Sequence, residues 1–75
     1  MMKEILYLEM IEQLSDEELL YREPLFLRIE VSSEEEAREK AKEYESLFEG
    51  RSYIKRLHIH KHSPSGNIPC EIKEL

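Results

Sequence analysis

The stretch SEEEAREKAKEYESLFEG, residues 33–50, decides the fold. Ser33 followed by Glu36 has the spacing of a helix capping box, and Ser32 with Glu35 repeats it one residue earlier. Glu34, Glu35 and Glu36 fall in the first turn, where the helix dipole favours negative charge. Ala37, Ala41, Tyr44 and Phe48 recur at helical spacing and form one apolar stripe, with Leu47 beside it. Glu34–Arg38 and Glu36–Lys40 are favourable pairs one turn apart. Gly50 stands where a helix ends on a left-handed residue. The stretch therefore predicts one main helix at about 34–49, with one face buried.

Alternating segments flank it. Upstream, Leu25, Leu27, Ile29 and Val31 share one face, while Phe26, Arg28 and Glu30 share the other. Downstream, Tyr53, Leu57 and Ile59 alternate with Ile54, Arg56, His58, His60 and His62. A strand–helix–strand unit of this kind calls for a right-handed crossover with the two strands parallel. Residues 63–67 (SPSGN) read as a turn. Ile68, Cys70 and Ile72 then alternate with Pro69, Glu71 and Lys73 as a last short strand, with Pro69 suited to an edge. Carried through, this alternation sets Leu25, Leu27, Ile29, Leu57, Ile59, Cys70 and Ile72 on the core face.

The first third is open to two readings. Residues 5–8 (ILYL) with Met10 and Ile11 fit a strand buried on both sides; Leu6, Tyr7, Met10, Ile11 and Leu14 also fit one helical arc. Ile5 and Leu8 fall off that arc, so a strand at about 4–12 is the preferred reading. Ser15 with Glu18 forms a second capping box and starts a short helical turn near 16–22, which Glu23-Pro24 ends. The expected fold is a single α+β domain over residues 1–75. It is a two-layer sandwich in the order β-β-α-β-β, the helix lying on a three- to four-stranded mixed, mostly antiparallel sheet.

Composition narrows function by exclusion. The chain has 75 residues and a net charge of −6. Residues 1–50 hold fifteen acids against six bases, whereas Arg51, Lys55, Arg56 and Lys61 give residues 51–62 four positive charges and no acid. An acidic chain repels nucleic acid and anionic membrane, so neither is an expected partner. The single cysteine, Cys70, forms no intrachain disulfide, which with the lack of a signal peptide fits the cytoplasm. The only glycines, Gly50 and Gly66, exclude glycine-rich phosphate loops. Cys70 has no evident base beside it, and no pair of carboxylates is spaced for acid–base work. The expectation is a non-enzymatic domain without a cofactor.

Three features remain as candidate sites. His58, His60 and His62 point to one side of a strand at steps of about 6.5–7 Å and are the candidate metal ligands. All three span about 13 Å, too far for one ion, so a site needs a ligand from elsewhere. Glu71 and Glu30 are better placed than Cys70, which the alternation puts in the core. Arg56, His58, His60, Lys61 and His62 form a candidate basic binding strip for nucleic acid or another ligand, without the stacked aromatics that single strands need. Tyr7, Ile11, Phe26 and Ile54 share the outer sheet face and are the candidate interface, for a homodimer or another protein partner.

Overall fold

A computed structural model describes residues 3–64 and 66–75. Its elements are strand β1 (Lys3–Glu12), helix α1 (Asp16–Leu19), strand β2 (Phe26–Val31), helix α2 (Glu34–Tyr44), strand β3 (Tyr53–Ser63), strand β4 (Gly66–Asn67) and strand β5 (Glu71–Glu74). A 3-10 turn over Glu45–Phe48 continues α2. The fold is α+β. The first segment is a strand, and it is the middle one: β1 pairs with β2 on one side and β3 on the other. As a central strand it has a neighbour along each edge, so side chains on either face stand among those of β2 and β3, which accommodates apolar residues at both parities of 5–11. Leu6, Leu8 and Met10 face α2, and Ile5, Tyr7, Glu9 and Ile11 face away.

This placement corrects the expected sheet. All its strand pairs are antiparallel rather than mixed; β4 and β5 follow one another along the same edge of β3, so four strands lie abreast, as expected. β2 and β3 do run in the same direction, but β1 lies between them, so neither bonds to the other. No parallel ladder is needed, and each pair gains the straighter antiparallel hydrogen bonds.

The helix forms as its sequence dictates. Ser33 Oγ accepts the Glu36 N–H at 3.1 Å, and Arg38 reaches Glu34 at 3.1 Å. Glu36 does not close a capping box on Ser33; its carboxylate takes the Ser32 hydroxyl at 2.6 Å. Lys40 pairs with Glu43 rather than Glu36. Ala37, Ala41 and Phe48 are buried with Leu8, Met10, Val31 and Leu57, and Tyr44 packs against that cluster. The α-geometry stops at Tyr44, and the tighter turn beyond it lays Phe48 4.9 Å from the ring of Tyr53 while leaving Leu47 exposed. Gly50, at φ +76°, takes the left-handed conformation its position calls for.

The last strand departs most from expectation. His62 opposes Asn67, and that register carried on would set Ile72 opposite Leu57, on the helix side. Instead Ile72 opposes His58, because residues 68–70 leave the ladder and insert one extra residue. Pro69 supplies no N–H there, so the ladder loses little by breaking at that point. A one-residue slip sends every later side chain to the other face. Cys70 and Ile72 are therefore exposed on the outer side and are not core residues. Lys73 turns to the helix side, where it meets Glu34 at 2.6 Å.

Glu12 ties the remaining loops to the sheet. Its buried carboxylate takes two bonds from Arg22, at 2.8 and 2.9 Å, the Leu25 N–H at 3.1 Å, and Arg51 at 3.1 Å. The capping box of Ser15 and Glu18 is complete and starts α1. The Arg22 guanidinium, helped by the Leu25 N–H and Arg51 against the cost of burial, pulls the Glu12 carboxyl from 4.5 down to about 2. A folded-state value below the unfolded one means Glu12 stabilises fully above about pH 4.5 and progressively less as pH falls towards 2. Glu12→Gln should therefore lower the urea midpoint at pH 7 and flatten its fall with acid. Parallel midpoint-against-pH curves for the two proteins would contradict this role.

Candidate functional site

Alternation along β1, β2, β3 and β5 sorts the face away from α2 into cross-strand rows. At one end lie Phe26, Ile11 and Ile54. Next come Arg28, Glu9, Arg56 and Glu74, then Glu30, Tyr7, His58 and Ile72. Ile5 with His60, and Lys3 with His62, complete the far end. All four candidate interface residues, Tyr7, Ile11, Phe26 and Ile54, are thus on this face, three of them in one row. α1 does not cover them: its Leu19 and the following Leu20 and Tyr21 are themselves exposed.

The centre of the face is a residue the sequence did not single out. Glu9 is 0 % exposed although no described element lies over it. Neighbouring side chains provide the cover. Arg28 Nε donates to one carboxylate oxygen at 2.8 Å and Arg56 Nε to the other at 2.8 Å, while His58 Nδ1 stands 3.1 Å away. Burial pushes the Glu9 carboxyl up, but the bonds from Arg56, His58 and Arg28 outweigh it and hold the group below the usual carboxylate range. Arg28 also stacks on two aromatics, its guanidinium carbon 5.4 Å from the Tyr7 centroid and 5.5 Å from that of Phe26. The one available signal was a lone acid inside the apolar run of residues 5–11.

The basic strip is divided by its own geometry. Arg56, His58, His60 and His62 face outward, but Lys61 lies on the opposite side and binds Glu71 at 2.7 Å. Arg56 is committed to Glu9, and Arg51 to Glu12. Three of the four cations that made residues 51–62 basic are engaged in ion pairs within the molecule.

The three histidines do share a face. His60 and His62 are 4.3 Å apart between ring centroids, and His58 and His60 are 6.3 Å apart. Of the suggested extra ligands, Glu71 lies across the sheet and Glu30 at the opposite edge. Cys70 is the one that arrives: the slip in residues 68–70 brings its Sγ to 3.2 Å from His60 Nδ1. One ligand atom each from His58, His60 and Cys70 lies within 4.8 Å of the others. No helix among the described residues is long and apolar enough to cross a membrane. No protein-family model matches the chain, and no curated protein or solved structure matches it significantly.

Proposed function

We propose that this chain is a non-enzymatic protein-interaction module, a two-layer domain that pairs with a second copy of itself through the sheet face away from α2. The observation that carries this reading is the row Phe26–Ile11–Ile54 on a face that no other described element covers. Phe26 is 49 % exposed, so burying it against a partner gains apolar contact that the isolated chain lacks. Charge favours a second copy as the occupant. The chain carries −6, so two copies repel through most of their surface. On this face the described cations, Lys3, Arg28 and Arg56, are matched by Glu9, Glu30 and Glu74. Two copies can therefore meet there without adding to the repulsion between the chains.

Light scattering coupled to size exclusion tests the reading. The expected result is a dimer that Phe26→Glu weakens by at least about tenfold, with an unchanged circular dichroism spectrum, since Phe26 is on an edge strand. A wild-type monomer at the highest attainable concentration, or a dimer indifferent to both Phe26→Glu and Ile54→Glu, would refute it.

A further inference from the structure

We propose that His58, His60 and Cys70 form a binding site for a late transition-metal ion, with zinc the expected occupant. The site lies at the far end of the face from Phe26, Ile11 and Ile54. Its His58 and His60 stand about 13 and 20 Å from that row, two and three two-residue steps along the strand, and the site does not rest on self-association.

Three independent features converge on it. The first is the ligand set: two imidazoles and a thiol, with one donor atom of each within 4.8 Å of the others. Nitrogen and sulfur donors of this kind suit zinc, whose bonds of about 2.0–2.3 Å put tetrahedral ligands about 3.3–3.8 Å apart. His60 Nδ1 and Cys70 Sγ are already at 3.2 Å. Closing the remaining gap takes about an ångström, and Cys70 sits in the segment between β4 and β5 that makes no ladder bonds.

The second feature is His58. Its Nδ1 faces Glu9 at 3.1 Å, and its Nε2 is buried with no hydrogen-bond partner among the described residues. Buried polar atoms are nearly always satisfied, and an orphan calls for an explanation. A metal ion on Nε2 is one.

The third feature is what holds His58. Glu9, anchored by hydrogen bonds from Arg28 and Arg56, accepts a hydrogen bond from His58 Nδ1–H, the tautomer that leaves the Nε2 lone pair free. A carboxylate behind a ligating histidine is the usual support of a metal centre; it orients the ring and raises its basicity. The ion binds Cys70 as thiolate, so loading releases the thiol proton to solvent. The fourth position is left to water or to an exchangeable ligand. Glu9 is a positioning residue, and the three ligands are His58, His60 and Cys70.

The test uses the reduced full chain with zinc by calorimetry and with cobalt by absorption. One equivalent of each metal is expected, the cobalt complex showing a thiolate charge-transfer band. Cys70→Ser, at an exposed position, should abolish the band without disturbing the fold. His60→Ala should weaken zinc binding at least about tenfold. Glu9→Gln should keep the band while lowering affinity about 10–100-fold, which separates a positioning role from a ligating one. The proposal fails if wild-type protein binds no stoichiometric metal, or if Cys70→Ser and His60→Ala bind as wild type does, since surface carboxylates would then be the ligands. Loss of dimerisation in Phe26→Glu with metal binding intact would show that the two readings stand apart.

Discussion

Phe48→Ala should lower the unfolding free energy by about 3–5 kcal/mol, read from urea denaturation. Phe48 is 1 % exposed and is the largest wholly buried side chain among the described residues. It joins the short 3-10 turn to the sheet by lying against Tyr53, and it shares the core with Leu8, Met10 and Leu57. Two of its neighbours in the helical stripe are alanines, which have no spare length to fill the void. A domain of 75 residues has a thin core, and total stabilities are about 5–15 kcal/mol, so the variant should be largely unfolded at modest temperature. Leu47→Ala, one residue away and exposed, should change stability by about 0.5 kcal/mol or less. Equal effects at the two positions would mean that the turn does not face the sheet as described.

The second large effect concerns Glu9. Replacing Arg28 and Arg56 together by methionine keeps side-chain length over the carboxylate but removes both cations. The expected cost is about 3 kcal/mol, the lower end for breaking a buried ion pair, because Arg28 is itself half exposed. Glu9→Met added to that pair should then recover most of the loss, less the hydrogen bond that His58 Nδ1 gives up. Three apolar side chains fill the same space with no charge to desolvate, and replacing a whole buried triad in this way is often neutral or stabilising. Chemical denaturation of the double and triple variants decides the matter. A double variant as stable as wild type would show that water reaches Glu9 freely. A triple variant no better than the double would show that the row needs its charges for shape.

Much of this was legible in the sequence because it depends on neighbours along the chain. The Ser33 cap, the stripe from Ala37 to Phe48, the Gly50 stop, the Ser15–Glu18 box and the alternation of 25–31 and 53–61 are local signals. They placed the helix and put Tyr7, Ile11, Phe26, Ile54, His58, His60 and His62 on the outer face. What local signals do not carry is register between distant strands. The insertion of one residue at 68–70 costs almost nothing locally, yet it moved Cys70 and Ile72 across the sheet and Lys73 towards α2. Lys61 was grouped with Arg56 although their positions in one strand differ by an odd number, which sends them to opposite faces. The Glu9 cluster joins β1, β2 and β3, and its partners are 19, 47 and 49 residues distant in the chain.

The position of β1 at the middle of the sheet also governs how the molecule assembles itself. Its longest ladder is with β3, and Leu8 meets Leu57 only after the intervening chain has been drawn into a closed loop. Closing such a loop costs conformational entropy before any contact compensates, and chains dominated by remote pairings fold more slowly than helical ones of equal size. Until β3 docks, the greasy segment 5–11 has only β2 to lean on, a two-stranded ribbon with one flank unguarded. The seam between β1 and β3 is therefore the most remote closure among the described strand pairs.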